Sequence, residues 1–164
     1  MQPFKEINDY YKTLDPWNYQ RNPEDQVRKQ IILDRIYNLD VDFEKALDLG
    51  CGEGWITKDL PAKEIFGYEC SDNAASRFPP NVNRVLRPEG DYDLILATGV
   101  MYYHYDWKTF LSIIRNHASK YFVTSNIKSW EIKELQEFDP YLVGQEEFDY
   151  NEHKQHLRIY RFNK

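Results

Sequence analysis

Cysteine, uninterrupted apolar sequence and surplus positive charge are all scarce in this 164-residue chain. Two cysteines, Cys51 and Cys70, are too few for a disulfide scaffold and are not spaced as a metal knuckle. Reduced thiols in a cytoplasmic protein without a metal are the expectation. Nowhere do 18 apolar residues run together, and the opening MQPFKEINDY has no apolar signal-peptide region, so neither a membrane partner nor export is expected. A net charge of −6 with no lysine or arginine cluster works against a partner held by phosphate neutralisation, which sets nucleic acid aside. No repeat or low-complexity tract is visible.

What is present fits one domain over 1–164, since single cores typically serve about 100–200 residues. The 13 tyrosines and 4 tryptophans exceed what a core needs, and reflect either a ligand-stacking platform or compositional bias.

Residues 1–22 read as an arm or lid, because the proline and asparagine punctuation of INDYYKTLDPWNYQRNP interrupts any continuous helix. A leading segment over 23–38 follows. Asn22 is placed as N-cap, Pro23 at the first helical position, and Glu24 and Asp25 in the first turn, with Val27, Ile31, Ile32 and Ile36 facing inward to about Tyr37. Over 45–164 strands and helices alternate. KALDLG is a strand, WITKDL a short helix stopped by Pro61, EIFGYEC a second strand, NAASRF at most two helical turns, and NRVL a third strand. YDLILATG has the nearly continuous apolar run of a buried central strand. Asp106 caps a helix with Trp107, Phe110, Leu111 and Ile114 on one face, YFVTSN is a fifth strand, and a short helix around WEIKELQEF precedes an antiparallel hairpin, YLVGQEEFDY with QHLRIYRF. The expectation is an α/β fold: an open Rossmann-like sheet, mostly parallel, with a C-terminal antiparallel hairpin.

Gly50, Gly52 and Gly54 stand where the first strand ends. Glycine costs an element interior roughly 0.5–1 kcal/mol relative to alanine, so three in five residues mark a turn that must approach something closely. Glu69 ends the second strand, and neighbouring strand ends in a parallel sheet share one crevice, so Glu69 and the glycine turn should face the same ligand. A carboxylate there can accept both hydroxyls of a ribose. The DxGxGxG spacing differs from the GxGxxG dinucleotide fingerprint, which argues against a nicotinamide oxidoreductase.

These residues resemble the first motif of the class I S-adenosylmethionine-dependent methyltransferases, an acid followed by GxGxG. DYDLILATGVMYY is similar to that family's fourth-strand motif and the final hairpin to its sixth and seventh strands, so the likeness covers most of the chain from Lys45 onward. DPWNYQ and EDQVRKQ are similar to the branch holding nodulation-factor N-methyltransferases and sugar methyltransferases. The resemblance implies a compact version of that fold, S-adenosyl-L-methionine as cofactor, and methyl transfer to a small-molecule acceptor, probed first as a sugar amine or hydroxyl. It also implies that Gly50, Cys51, Gly52 and Gly54 pass under the methionine part, that Asp48 organises its amino group, that Glu69 with Cys70 beside it holds the ribose, and that Thr98 flanks the site. Trp17, with Tyr10, Tyr11 and Tyr102, offers rings to the sulfonium. Arg28 reads either as a surface arginine or as the partner of the cofactor carboxylate.

Two departures stand out. The acid that usually follows the third strand and recognises adenine is replaced by Arg87 and Pro88, with Glu89 and Asp91 as distant substitutes, so no adenine contact is assigned. After the fourth strand Gly99 stands where the sugar-methylating branch has an acid, leaving Tyr102, Tyr103 and His104 as candidates for a general base. Displacement at a sulfonium needs positioning more than acid–base help, so enzyme activity is expected, with a cofactor-binding module lacking turnover and a macromolecular methyltransferase as alternatives. The region between the fifth strand and the hairpin is short. Either the acceptor is small and lies against the arm, or a partner chain or second copy completes the pocket.

Overall fold

Alternation along the first strand sends Leu47 and Leu49 to one face of a sheet and Ala46 with Asp48 to the other, which sets the two layers of the molecule. The computed structural model describes residues 4–163; the first three residues of the expected arm lie outside them. The strands are β1 Phe43–Leu49, β2 Ala62–Tyr68, β3 Val82–Arg84, β4 Tyr92–Thr98, β5 Ala118–Ile127, β6 Leu142–Tyr150 and β7 His153–Arg161. They form one seven-stranded sheet in the order β3-β2-β1-β4-β5-β7-β6. β1 pairs in parallel with both β2 and β4, and β7 alone runs against the other strands, pairing antiparallel with β5 on one side and β6 on the other. The strand-order reversal beside β1 is where an open α/β sheet makes its crevice.

Short helix α1, Phe4–Tyr10, opens the arm. Helix α2, Pro23–Tyr37, starts as the sequence predicts, with the Asn22 side chain accepting from the Glu24 N–H at 3.0 Å. Its inward stripe differs from expectation. Ile32, Leu33 and Ile36 pack on Ala46, Leu94 and Leu96, whereas Val27 is exposed and Asp25 and Arg28 take the inward positions. The opposite layer is α4, Trp107–His117, whose Phe110, Leu111 and Ile114 pack on Leu47, Leu49, Ile95 and Phe122.

Two expected helices are not α-helical. WITKDL yields only a 3₁₀ turn at Thr57–Asp59, and WEIKELQEF contributes to a 3₁₀ run over Lys133–Tyr141. Seven residues separate Gly54 from the start of β2, too few for a helical crossover, and Lys29 ties them down through the Trp55 carbonyl at 2.6 Å and Asp59 at 2.5 Å. NAASRF forms α3, Asp72–Ala75. The tip of the β6–β7 hairpin docks on the start of α2: the Tyr150 hydroxyl donates to Asp25 Oδ1 at 2.8 Å, and the Asn151 N–H donates to Glu24. No helix among the described residues is long and apolar enough to cross a membrane.

Candidate ligand-binding cleft

At the carboxyl ends of β1, β2, β4 and β5 the chain encloses a cavity of about 600 Å³, a size suited to a small-molecule ligand. Its floor is the glycine turn. Gly50, Gly52 and Gly54 have φ of +66°, +57° and +78°, a left-handed region that side chains disfavour. The Gly50 N–H donates to the Tyr68 carbonyl at 2.8 Å, which stitches the turn to β2. A Cβ on Gly50 would lie 2.7 Å from Val100 Cγ1, and one on Gly52 would lie 2.5 Å from the Tyr11 hydroxyl. The turn is therefore bare for the chain's own packing as well as for any ligand. Gly54 lies outside the cavity wall, against Pro79.

Asp48 lines the cavity and is buried. Its Oδ2 accepts from the Thr57 hydroxyl at 2.7 Å, while Oδ1 has no donor among the described residues. Burial pushes its carboxyl up to about 7, against the lowering pull of the Thr57 bond and of Arg28. Glu69 is buried alongside, with Oε2 accepting from the Gly52 N–H at 2.9 Å and Oε1 from the Ser71 N–H at 2.7 Å. Burial raises this carboxyl too, and the two backbone bonds oppose the rise. Two carboxylates thus meet at the glycine turn from neighbouring strands. Cys51 and Cys70 also line the cavity; burial raises both thiols, Cys70 to about 12, which keeps them protonated.

Arg28 is not a surface arginine. It is 5% exposed in the cavity wall, with Nε 3.2 Å from Asp25 Oδ1 and its guanidinium 5.5 Å from the ring centroids of both Tyr19 and Tyr150. A buried cation needs such partners to offset lost hydration.

The arm closes one side. Asn8 Oδ1 accepts from the Ser71 hydroxyl at 2.8 Å and the Asn73 N–H at 3.1 Å. Glu53 accepts from Arg77 Nε at 2.6 Å and from the Asp15 N–H, and Arg77 Nη2 donates to the Tyr11 carbonyl at 2.7 Å. Trp17 donates from Nε1 to the Tyr11 hydroxyl at 3.2 Å, and both rings line the cavity. Tyr10 does not; it is half exposed and packs against Trp17.

Thr98 ends β4 in the wall, and the loop after it is fixed by the Met101 N–H donating to Asn126 Oδ1 at 3.2 Å. Tyr102 and His104 line the cavity, but Tyr103 lies outside it, donating to Glu134 at 2.9 Å and accepting from the Lys133 N–H at 3.1 Å. The Tyr102 hydroxyl accepts from the Ile127 N–H at 2.8 Å, and burial pushes the phenol up to about 12. His104 is exposed and stacks on Tyr102, with centroids 5.7 Å apart; burial lowers its pKa, so the ring is neutral at pH 7. Asp106 occupies the N-cap position of α4 yet makes no capping bond, contrary to expectation, because its backbone at φ −81° and ψ 55° lies outside the extended region capping requires.

Sequence reasoning missed Tyr19, Trp55, Tyr105, Trp130, Tyr150 and Gln155, all of which line the cavity. The tyrosine excess was the available signal, but it carried no position.

No family model and no curated protein matches the chain. The fold is shared with solved structures. N-methyltransferase NodS from Bradyrhizobium japonicum WM9, in complex with S-adenosyl-L-homocysteine, superposes with a TM-score of 0.80 at 15% identity, covering 98% of each chain. The fold is that of the class I S-adenosylmethionine-dependent methyltransferases. Magnesium protoporphyrin IX methyltransferase from Synechocystis PCC 6803 with bound S-adenosylmethionine follows at a TM-score of 0.71 and 11% identity, covering 99% of this chain and 98% of that one. The 1,6-didemethyltoxoflavin-N1-methyltransferase of Burkholderia thailandensis gives 0.68 at 16% identity, covering 98% and 86%. In this class I methyltransferase fold the stretch between β3 and β4 is short, residues 85–91, and contains no helix.

Proposed function

We propose that the protein transfers a methyl group from S-adenosylmethionine to a small-molecule acceptor, a sugar amine or hydroxyl being the class to test first. One observation carries this reading: the donor-free Oδ1 of buried Asp48 and the carboxylate of Glu69 meet at a left-handed glycine turn within one cavity. Asp48 suits an ammonium and Glu69 a sugar diol. Arg28, in the same wall, suits a carboxylate, and the rings of Tyr11, Trp17 and Tyr102 suit a sulfonium. When bound, the cofactor supplies an activated methyl group, whose C–S bond breaks with its electron pair returning to sulfur as the acceptor's nitrogen or oxygen bonds to carbon.

The chain's own contribution is position. Holding the acceptor atom in line at about 3–3.5 Å supplies much of the acceleration. An amine needs no base before it attacks, which suits a chain with Gly99 after β4, and two of the three solved relatives named above are N-methyltransferases. For a hydroxyl acceptor, neutral His104 is the group able to take the proton. Titration with S-adenosylhomocysteine tests the donor site, and incubation of S-adenosylmethionine with amino-sugar and sugar acceptors, followed by S-adenosylhomocysteine release, tests transfer. Binding without turnover on any acceptor favours the second reading, a cofactor-binding module, which Gly99 motivates.

A further inference from the structure

We propose that Asp106 reads the purine base, accepting a hydrogen bond from the exocyclic amine of adenine in place of the acid missing after β3; this rests on the S-adenosylmethionine reading above. Five carboxylates line the cavity: Asp15, Asp48, Glu53, Glu69 and Asp106. Asp15 accepts from the Tyr19 and Gln20 N–H groups at 2.9 and 3.0 Å, and Glu53 is paired with Arg77. Glu69 is bonded to Gly52 and Ser71, and buried Asp48 to Thr57. Asp106 alone of the five has no side-chain hydrogen bond or ion pair among the described residues, although it stands where it could cap α4.

Its surroundings match a flat base. The Phe110 N–H donates to the Asp106 carbonyl at 3.2 Å, which sets the Phe110 ring one helical turn along α4 from Asp106. Tyr68 packs edge-on against Phe110, with centroids 6.1 Å apart, and Phe110 lies 3.6 Å from where a Cβ on Gly50 would stand. Tyr105 precedes Asp106 in the chain and lines the same cavity. Tyr68, the residue before Glu69, lines the cavity with Tyr105 and Phe110, and exposed Asp106 lines it at the start of the helix that carries Phe110. Aromatic walls hold a planar ring by stacking, and one free carboxylate selects an edge that donates. Adenine presents an amino group there, whereas hypoxanthine presents a carbonyl whose lone pairs would oppose the carboxylate.

The segment after β3 offers no rival. Arg84 is engaged with the carbonyls of Glu69 and Cys70 and with Asp72, and neither Glu89 nor Asp91 lines the cavity.

The test is calorimetric titration of wild type, Asp106→Asn and Glu89→Gln with S-adenosylhomocysteine and its inosine counterpart, S-inosylhomocysteine. Asp106 is exposed and its side chain makes no bond within the described residues, so the near-isosteric asparagine removes no internal contact and the variant keeps its fold, which thermal unfolding checks. A bond to a charged acceptor makes wild type favour the adenosine compound by about tenfold or more. Asp106→Asn should reduce that preference to within about threefold, since an amide can donate to the carbonyl, while Glu89→Gln keeps the wild-type ratio. An unchanged ratio in Asp106→Asn, a loss of preference in Glu89→Gln, or no preference in wild type overturns the assignment and leaves the donor reading standing. If wild type binds neither compound, both fall.

Discussion

The backbone N–H of Gly52 donates to the Glu69 carboxylate at 2.9 Å, so the turn after β1 is anchored by the acid at the end of β2. The other oxygen of Glu69 takes the Ser71 N–H, which begins α3. One side chain thus organises two turns and offers its remaining lone pairs to the cavity. Glu69→Ala leaves both buried N–H groups without acceptors, at a cost of about 1–3 kcal/mol each. We expect a lower Tm and S-adenosylhomocysteine binding weakened by about tenfold or more, with Glu69→Gln intermediate because it keeps one acceptor oxygen. Wild-type affinity in a folded Glu69→Ala variant would show that the ribose is held elsewhere.

Gly50 and Gly99 separate backbone strain from crowding. Both have φ near +67°, at +66° and +68°, but a Cβ on Gly50 would collide with Val100, whereas nothing lies within 4 Å of one on Gly99. Gly99→Ala should therefore cost only the left-handed conformation, about 1–2 kcal/mol. Gly50→Ala adds the displacement of Val100 and should lose more stability, along with cofactor affinity. Urea unfolding of the two variants at one temperature checks the order; equal losses would mean that Val100 gives way freely.

Much of this was legible in the sequence because strong local signals agreed. Asn22 and Pro23 set the start of α2, the run from Tyr92 to Thr98 marked the central strand, and the Asp48 to Gly54 spacing located the cleft. What escaped depends on the third dimension. Val27 has the chemistry of a core residue, but the rotation of α2 turns Asp25 and Arg28 inward, where the hairpin brings Tyr150, 125 positions beyond Asp25 in sequence, to share their charge. Tyr102 and Tyr103 are identical side chains on consecutive residues, and only their distant partners distinguish them: the Tyr102 hydroxyl meets the Ile127 N–H in the cleft, whereas the Tyr103 hydroxyl meets Glu134 and the Lys133 N–H outside it. The helical pattern of WITKDL was real but had no room to form before β2.

Asp48 gives the cleft a proton linkage. Burial raises its carboxyl from 3.8 to about 7 in the folded chain. Between those values the folded state holds a proton that the unfolded state has released, so this contribution to stability is complete below about pH 4 and is lost as pH rises through about 7. An ammonium placed against Oδ1 favours the charged form and lowers that pKa. Binding of S-adenosylhomocysteine below pH 7 should then release a proton, with affinity rising with pH and levelling off above about 7. Calorimetry in two buffers of different ionisation enthalpy measures the release, and Asp48→Asn should abolish it. Proton uptake on binding would mean that Asp48 does not meet the amino group.

Tyr102 and His104 stack in the same wall, yet their substitutions should part. Tyr102→Phe removes the acceptor of the buried Ile127 N–H, so its main effect is structural, about 1–3 kcal/mol of stability, whichever acceptor is used. A phenol pushed up to about 12 holds its proton too tightly to serve as a base at neutral pH. His104 is different: its ring is kept neutral, exposed at the mouth and free to take a proton. With a hydroxyl acceptor His104→Ala should lower kcat by about 10²–10⁴ while KM for the cofactor stays near wild type. With an amine acceptor above its own pKa the nucleophile needs no base, and the same variant should change kcat little. The contrast between the two acceptor classes in one variant reads the base directly, because a merely structural histidine would lower both rates alike.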